Sequence, residues 1–394
     1  MARRTHPVDR LRICLVTRDE PGATGTSRYA DRLAVGLQDR GCRVDRLATR
    51  PSGPLARVLE LAGKPAHLDA ITFLSTYPPA LRWPPADIYH LTTHTFASAL
   101  PISRRRRPLV ATVHDIGLAT EPNPEGLRQH VHRAADRFAL RQLKRTTSLI
   151  AVSEWTKKAV MDTISGPRKR VAVTHLGVDH SRYRPQPVPP EFMNRYGFRD
   201  DQRYVIYVGS DEPRKNLSNV WRALGVVRRR FPEVILLKVG RGYDPSARDA
   251  LKQLASELGL QQAIRYFDEV AESDLPLFYA AADLLVMPSL YEGFGLPALE
   301  AMASGIPVVV SDRAALPEVV GDSGIYIDPS DFAGIARAIM ELLDDRALTM
   351  RLGDQGRARS RLFTWDAMVD RTIDVYRLSI DLDRRHRRIG AASR

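Results

Sequence analysis

Short apolar runs alternate with amphipathic segments along most of the chain. Runs such as Ile13–Thr17 and Leu109–Val113 are apolar at nearly every position, which is typical of strands buried on both faces of a parallel sheet. The segments between such runs repeat their apolar residues at three- and four-residue spacing, as Tyr29, Leu33 and Leu37 do, and this spacing predicts helices. The alternation therefore predicts an α/β fold with doubly wound parallel sheets.

The pattern gives explicit element boundaries. The predicted strands are residues 11–17, 44–48, 88–91, 109–113, 149–152, 171–174, 204–208, 234–239, 264–267, 284–287, 308–310 and 325–327. The predicted helices are residues 28–40, 126–145, 155–164, 218–230, 246–258, 274–281, 298–303, 332–343 and 365–383. Residues 50–86 are rich in proline and show neither period.

One proline-rich stretch, Pro185–Pro190, interrupts the alternation. Proline lacks the backbone N–H that a sheet interior needs, and proline-rich segments are stiff, so this stretch predicts a linker. We therefore expect a first domain over residues 1–185 and a second over residues 186–365. Residues 366–394 form a final helix and a basic tail, Arg384–Arg388, which we expect to fray.

Composition excludes several classes of protein. The 394 residues are 44% hydrophobic and 27% charged, as in ordinary globular domains. No apolar stretch approaches the roughly 20 residues that span a bilayer, and the polar N-terminus does not resemble a secretory signal. The two cysteines, Cys14 and Cys42, have neither metal-binding nor redox spacing. We expect a reduced, cytoplasmic protein, with peripheral attachment to the inner face of the membrane as an open alternative.

Positive charge is concentrated in the first half of the chain. Residues 1–185 contain 31 Lys and Arg against 16 Asp and Glu, a net charge of +15, whereas residues 186–394 contain 28 against 30. A basic face attracts an anionic membrane surface or a phosphate-bearing substrate; a general arginine bias is the alternative. Nucleic acid is not expected as a partner, because no recognition motif accompanies the charge.

The most informative stretch is residues 283–312. An apolar strand leads into a loop with Gly293 and Gly295, and Pro297 then suits the first turn of a helix. A glycine loop that enters a helix N-terminus is a site for an anion or a polar ligand. Glu292 and Glu300 flank this loop, where each can accept hydroxyl hydrogen bonds from a sugar; a solvated loop glutamate and a helix-start glutamate are the structural alternative.

Two adjacent cations, Arg214 and Lys215, follow another predicted strand, residues 204–208. They lie in a loop, which includes Ser210, just before a helix. Cations disfavour a helix N-terminus, so a merely solvated pair would be unusual there. An Arg binds phosphate oxygens through two N–H groups and a Lys binds as a point charge, so this pair suits a diphosphate.

In the first half, His114 lies at the carboxyl end of the strand Leu109–Val113. Parallel sheets bind ligands at that edge, and a histidine there can donate to a sugar hydroxyl or a phosphate near neutral pH. His94 has a weaker case of the same kind. Gly25 lies in the loop after the first strand and either approaches a ligand or is an ordinary turn glycine. The spacing of this loop does not match the dinucleotide fingerprint.

These motifs resemble those of retaining GT-B glycosyltransferases of family four. The glutamate pair with Glu-Gly-Phe-Gly-Leu-Pro (292–297) and the Pro-Arg-Lys-Asn string (213–216) are the specific elements, and the resemblance covers nearly the whole chain. It implies two Rossmann-like domains facing a central cleft, with a C-terminal helix that crosses back to the first domain.

The resemblance also implies roles for individual residues. In the catalytic group, Arg214 and Lys215 would hold and stabilise the leaving diphosphate, Glu292 would orient the donor sugar, and His114 would contact that sugar near the reaction centre. The remaining donor-binding residues would be Gly25, Ser210, Val270, Phe294, Gly295, Leu296 and Glu300, with Glu300 on the ribose and the amides at 294–296 on the sugar. Asp268 stands where family members often have glycine, and this leaves the base open.

The reaction implied is transfer of a hexose (mannose, glucose or N-acetylglucosamine) from a nucleotide diphosphate sugar, such as GDP-mannose or a UDP-sugar, to a glycan, lipid-linked or small-molecule acceptor. No acceptor residue is predicted. No metal or cofactor is expected, because no strand-end loop carries an Asp-x-Asp motif and cations occupy the diphosphate site. The alternatives are a GT-B phosphorylase, a sugar-nucleotide epimerase, or a catalytically silent protein that binds nucleotide sugars.

Overall fold

The computed structural model describes residues 11–18, 24–49, 83–100, 107–117, 126–164, 170–242 and 245–392. These residues form two compact units, of which the first contains the chain up to Leu176 and again from Trp365 onwards, and the second contains Gly177–Thr364. The unpatterned residues 50–82 and most of the arginine run at 104–107 lie outside the described residues.

The first unit is built on a parallel sheet. Among its described residues the strand order is β2-β1-β3-β4-β5-β6. The strands are β1 Arg12–Arg18, β2 Arg43–Thr49, β3 Ile88–Leu91, β4 Leu109–Val113, β5 Ser148–Ala151 and β6 Val171–Val173. The strands β3, β4 and β5 are buried at every position, which explains why their residues are apolar or small, with His90 of β3 as the exception.

The final helix packs on this first sheet. Its residue Val369 lies against Gly36, where an added Cβ would come within 2.5 Å of the valine side chain. Arg40 donates to Asp370 at 2.6 Å and to Asp366 at 3.1 Å. The crossing of the C-terminal helix back to the first unit is thus confirmed. The helices of this unit are Gly25–Asp39, Gly126–Gln142, Glu154–Thr163 and Trp365–Ala392, with short 3-10 helices at His94–Ala99 and Leu143–Arg145.

The predicted end of the final helix was wrong. The sequence placed the end at Asp383 and a frayed basic tail after it, but the helix continues to Ala392. Asp383 accepts an ion pair from Arg387 at 2.9 Å, one helical turn later, and His386 donates to the Leu382 carbonyl at 2.8 Å. Such pairs one turn apart stabilise a helix end that intrinsic propensity leaves marginal.

The second unit has its own parallel sheet, with the strand order β12-β11-β10-β7-β8-β9. The strands are β7 Arg203–Val208, β8 Val234–Val239, β9 Ile264–Phe267, β10 Leu284–Met287, β11 Val308–Ser311 and β12 Ile325–Ile327. The chain order reverses between β7 and β10, which are hydrogen-bonded neighbours. In doubly wound sheets, ligands bind outside the carboxyl ends of the strands at such a reversal.

Helices cover both faces of this sheet. Their core includes Trp221, which is fully buried. Three helices were not predicted, namely Pro190–Tyr196, Leu316–Val320 and Arg346–Ser360. The helices of the unit are Pro190–Tyr196, Leu217–Val227, Pro245–Glu257, Leu275–Ala280, Leu296–Ala303, Leu316–Val320, Phe332–Asp344 and Arg346–Ser360, with a 3-10 turn at Pro213–Lys215.

The units divide earlier than the predicted boundary at 185/186. The Val178 amide donates to the Phe363 carbonyl at 3.2 Å, and the Pro185 ring packs against Gly305 so closely that a Cβ there would lie 2.8 Å from it. Residues 177–185 therefore belong to the second unit, and Pro185–Pro190 lies inside it. The segment that we separated as residues 366–394 groups with the first unit.

Candidate active site

The loop after β7 is fixed by Asn216. This residue adopts the left-handed conformation with φ of 60°, which asparagine tolerates better than most residues. Its amide Nδ2 donates to the Pro288 carbonyl at 3.0 Å and to the Pro329 carbonyl at 2.6 Å. Asn216 therefore ties the β7 loop to the loops after β10 and β12, and it holds the preceding Arg214 and Lys215 at the reversal of strand order.

Two cations and a carboxylate meet at this point. Lys215 Nζ lies 2.6 Å from Glu292 Oε1, and Arg214 Nη1 lies 3.7 Å from Glu292 Oε2. The Arg214 side chain also donates to Glu212 at 2.6 Å and to the Tyr291 carbonyl at 3.2 Å. The structure thus brings together three of the four predicted catalytic residues, although Glu292 lies 77 positions after Lys215 in the sequence.

Glu292 is held in its ionised form. Burial on its own raises the pKa of this carboxyl, but the nearby charges of Lys215 and Arg214 outweigh burial and lower the pKa below its usual value. Glu292 is 7% exposed and Lys215 is 9% exposed. At neutral pH the pair is consequently a largely buried carboxylate and ammonium, which can accept and donate hydrogen bonds respectively.

Gly295 makes the turn into helix Leu296–Ala303. Its φ is 98°, a conformation that glycine adopts without strain, and an added Cβ would lie 2.6 Å from the Leu316 side chain. The neighbouring Phe294 ring is buried against Phe363, with centroids 5.8 Å apart. Phe294 therefore contributes packing through its side chain, and the contact of its backbone amide with a sugar stays a prediction.

Glu300 lies within the same helix and is 2% exposed. Its carboxylate accepts a hydrogen bond of 2.9 Å from the Tyr279 hydroxyl. The predicted contact of Glu300 with the ribose hydroxyls stays a prediction. The donor that Tyr279 supplies was not predicted, because 21 residues separate the two side chains.

The other two donor-site candidates of this unit lie at its loops. The Ser210 hydroxyl donates to Glu212 at 2.9 Å, and Glu212 in turn accepts from Arg214. Ser210 thereby supports the residue that orients Arg214. Val270 is half-buried in the loop that follows β9, the loop to which the resemblance assigns the base.

His114 of the first unit is neutral. Its Nε2 bonds to the Thr92 carbonyl at 2.9 Å; because a carbonyl only accepts, Nε2 carries the proton. Burial lowers the pKa of His114 to about 4. In this neutral ring the donor is used on Thr92, and Nδ1 is an acceptor. The contact of His114 with a sugar or phosphate therefore stays a prediction, with the ring as acceptor rather than as donor.

Gly25 begins helix Gly25–Asp39. The preceding Thr24 caps the helix, because its hydroxyl accepts from the Ser27 amide at 3.2 Å while the Ser27 hydroxyl accepts from the Thr24 amide at 3.1 Å. The capped helix start follows the carboxyl end of β1, the edge at which parallel sheets bind ligands. Gly25 is partly exposed there.

Family models match both units. A model described as glycosyl transferases group 1 matches residues 189–359, and one described as Glycosyltransferase Family 4 matches residues 23–182. The O-antigen chain mannosyltransferase B of Escherichia coli is 33% identical over 293 residues, which cover 70% of this chain and 72% of the relative. The chain belongs to the group 1 glycosyltransferases. It is therefore an enzyme that transfers glycosyl groups.

Two further relatives of this glycosyltransferase extend the comparison. The MMP alpha-(1->4)-mannosyltransferase of Mycolicibacterium hassiacum is 30% identical over 313 residues, which cover 75% of this chain and 71% of the relative. The D-inositol 3-phosphate glycosyltransferase of Streptomyces avermitilis is 33% identical over 226 residues, which cover 55% of this chain and 49% of the relative.

Solved structures confirm the GT-B fold. Sucrose-phosphate synthase from Thermosynechococcus elongatus matches with a TM-score of 0.72 at 21% identity, covering 96% of this chain and 99% of that chain. HepE from Anabaena, solved in complex with UDP-glucose, matches with a TM-score of 0.71 at 22% identity, covering 93% and 99%. Among the described residues, no helix of the glycosyltransferase combines the length and hydrophobicity needed to cross a bilayer.

Sequence reasoning missed a charge network in the second unit. Asp211 is fully buried and pairs with Lys238 and with Arg248. Burial lowers the pKa of Lys238, and the bond to Asp211 opposes that effect. Arg248 then donates to Asp268 at 2.7 Å. A charged residue inside the otherwise apolar strand β8 was the available signal, since such a lysine requires a buried partner.

A second missed network joins the first sheet to the final helix. The His90 ring bonds to the Tyr376 hydroxyl at 2.6 Å and to the Thr112 hydroxyl at 2.8 Å. Tyr29 completes the network through a 2.8 Å bond to Thr112 and meets the His114 ring edge-on, with centroids 4.9 Å apart. This buried network therefore holds Tyr29, which packs against the His114 ring, in place.

Proposed function

We propose that this glycosyltransferase moves a hexose from a nucleotide diphosphate sugar to an acceptor with retention of anomeric configuration. The observation that carries the proposal is the meeting of Arg214, Lys215 and Glu292 at the strand reversal of the second unit. A helix begins at Leu296 beside them. Fixed cations and a helix N-terminus together favour a dianionic ligand.

Departure of the nucleoside diphosphate is the step in which negative charge develops. Negative charge develops on the leaving oxygen as the bond from the anomeric carbon to the phosphate breaks. Arg214 and Lys215 would stabilise this charge, and fixed donors of this kind are a large term in catalysis because they need no reorganisation. Lys215 has three N–H donors, so its bond to Glu292 leaves two for phosphate oxygens.

Glu292 would orient the donor sugar. As an ionised carboxylate it accepts hydrogen bonds from sugar hydroxyls, while Lys215 and Arg214 neutralise its charge. The acceptor hydroxyl would attack the anomeric carbon from the face that the diphosphate leaves, and its proton would pass to the departing phosphate oxygen. The new bond then forms on the face where the old bond broke, which retains the configuration without a covalent intermediate on Glu292.

The other predicted residues would complete the substrate contacts. Glu300 would accept from the ribose, and the backbone at 294–296 would bind the sugar. Ser210 and Val270 belong to loops that would contact the diphosphate and the base, and Gly25 would approach the phosphate or the acceptor. His114 would contact the transferred sugar, as an acceptor through Nδ1 rather than as a donor.

The names of relatives support two donor types. Two of them are mannosyltransferases, which favours GDP-mannose or another mannosyl donor, and HepE was solved with UDP-glucose, which favours a UDP-sugar. For the acceptor, the O-antigen chain of one relative supports a glycan, and D-inositol 3-phosphate of another supports a phosphate-bearing compound. No metal or cofactor is proposed.

The donor can be tested by thermal unfolding of the protein with UDP, GDP, ADP and their sugars. A ligand raises the melting temperature by mass action. Lys215→Ala should abolish the shift, whereas Lys252→Ala, which removes an exposed lysine of the same unit, should not. The product formed from the stabilising donor is then examined by NMR for its anomeric configuration, with and without EDTA.

The outcomes separate the alternatives. An inverted product would refute the retaining mechanism, and loss of transfer in EDTA would refute metal independence. Dependence on inorganic phosphate would favour a phosphorylase, and release of an isomeric sugar nucleotide would favour an epimerase. Nucleotide-sugar binding without turnover of any donor would favour the catalytically silent protein.

We also propose that the basic first unit contacts an anionic membrane surface from the cytoplasm. The end of helix Trp365–Ala392 carries four exposed arginines, and the first 185 residues have a net charge of +15. Sedimentation with vesicles that contain anionic lipid, compared with neutral vesicles, tests this contact. Equal partitioning to both at moderate salt would refute it.

A further inference from the structure

A chain of four charged side chains runs from the interior of the second unit to its surface. Lys238 on β8 pairs with Asp211 after β7, and Asp211 pairs with Arg248 on helix Pro245–Glu257. The side chains of Lys238 and Asp211 are fully buried, and that of Arg248 is 11% exposed. This charge network ends at Asp268, which lies directly after β9 and has a side chain that is 52% exposed.

This charge network fixes the direction of the Asp268 carboxylate. Arg248 Nη2 lies 2.7 Å from Asp268 Oδ1, and Nη1 lies 3.3 Å from Oδ2. Arg248 cannot turn away easily, because its Nε bonds to Asp211 and its guanidinium lies 4.7 Å from the centre of the Tyr266 ring. A carboxylate held by a planar fork in this way keeps a further lone pair on each oxygen.

Asp268 opens the loop that leads to the proposed nucleoside site. The loop runs directly into helix Leu275–Ala280, and Tyr279 of that helix donates to Glu300. In the proposed function Glu300 accepts from the ribose, so the base attached to that ribose lies next to this helix and its entry loop. Asp211, in the interior of the network, belongs to the same loop as Arg214 and Lys215, the cations proposed to hold the diphosphate.

We propose that Asp268 selects guanine as the base of the nucleotide donor. Guanine presents two adjacent donors, N1–H and N2–H, which match the two oxygens of one carboxylate. Uracil presents one N–H between two carbonyl oxygens, and adenine presents its N6–H beside the N1 lone pair, so each sets an acceptor against the carboxylate. A site built for a given hydrogen-bond pattern discriminates strongly against a ligand that lacks it.

This inference rests on the proposed function and is tested on the whole protein. Dissociation constants for GDP, UDP and ADP are measured by calorimetry for the wild type, Asp268→Asn and Glu269→Gln. Glu269 is the matched control, since it is the adjacent carboxylate, is 77% exposed and pairs with Arg241 instead. Asp268→Asn keeps the size of the side chain but replaces one acceptor oxygen with a donor.

The wild type should bind GDP tighter than UDP or ADP. Asp268→Asn should weaken GDP binding about tenfold, as expected for loss of a bidentate contact to a base edge, and should leave UDP binding nearly unchanged. Glu269→Gln should retain the wild-type preference. The melting temperatures of the unliganded variants show whether the fold is kept, which we expect because Arg248 retains Asp211 as a partner.

Two results would overturn the inference while the proposed function stands. One is a wild type that prefers UDP or ADP, and the other is an Asp268→Asn variant that keeps the wild-type ratio of GDP to UDP affinity. Absence of binding by every nucleotide together with absence of sugar transfer would instead refute the proposed function, and this inference with it.

Discussion

Removal of Lys215 should destabilise the second unit in a pH-dependent way. At an effective dielectric constant of 20, the 2.6 Å contact between Lys215 and Glu292 corresponds to an attraction of about 6 kcal/mol, and the 3.7 Å contact of Arg214 to about 4 kcal/mol. Breaking a buried pair typically costs about 3–5 kcal/mol. Since Arg214 remains, we expect Lys215→Ala to lower the free energy of unfolding by about 2–3 kcal/mol at pH 7.

The sign of the pH dependence follows from the pKa of Glu292. In the wild type this pKa lies below its ordinary value of 4.5, so the pair contributes stability above that pH and loses it as pH falls through the folded pKa. Without Lys215 the largest lowering charge is gone and burial still raises the pKa. The penalty of the variant should therefore shrink as pH falls below about 5, where the unpaired carboxyl protonates more readily.

Urea unfolding followed by tryptophan fluorescence measures this effect. Trp221 is fully buried and is the single tryptophan between residues 177 and 364, so it reports on the second unit. With a urea dependence of about 2–3 kcal/mol per molar, the midpoint should fall by about 1 M at pH 7. A variant as stable as the exposed-site control Lys252→Ala, or a penalty that grows in acid, would refute the reasoning.

Three further outcomes are expected. Gly295→Ala should lower the free energy of unfolding by about 1–3 kcal/mol, because Gly295 has a φ of 98° and a leucine methyl lies 2.6 Å from the position of the new Cβ. Gly259→Ala should lower it less, because Gly259 has a φ of 68° and no atom lies near its new Cβ. Thermal unfolding measures both. Because the pKa of His114 is about 4, the rate of transfer should show no inflection near pH 6.5, and an inflection removed by His114→Asn would contradict this. Tyr279→Phe removes the donor to Glu300 and should raise the KM for the sugar nucleotide several-fold with little change in kcat; a fall in kcat alone would refute it.

The strands were predictable because a strand that is buried on both faces appears in the sequence as a run of mainly apolar residues. Strands β3, β4 and β8 begin and end where the apolar runs do. Helix ends were less accurate, because capping residues and side-chain pairs decide them. With Thr24 as its cap, the first helix begins at Gly25, three residues before the predicted start at Arg28. Helix Arg346–Ser360 was missed because only a few of its residues are buried, so its apolar period is weak.

The loops of the candidate site could be located from the sequence for a different reason, although their roles in binding stay predictions. Gly295, Glu292 and the Arg214-Lys215 pair each lie at a strand end, where local sequence already indicates a ligand. The partners of these residues were not predictable, because the fold alone brings them together. Asp211 and Arg248 are 37 residues apart, and the proton of His114 is placed by a carbonyl 22 residues away. No periodicity connects such positions.

The half of the molecule that has the excess of positive residues is not the half that contains the buried Lys215–Glu292 ion pair. The first half holds the excess of positive residues. Burial nevertheless lowers the pKa of His90, inside β3, to about 3 and that of His114, after β4, to about 4, so both rings are neutral at pH 7. The second half has nearly equal numbers of positive and negative residues, yet it buries the ion pair of Lys215 and Glu292. A leaving diphosphate needs fixed charge, whereas a sugar hydroxyl needs only neutral donors and acceptors. Buried charge therefore supports the proposed donor site in the second unit, whereas the proposed contact of the first unit with an anionic acceptor or membrane would depend on its excess of positive residues.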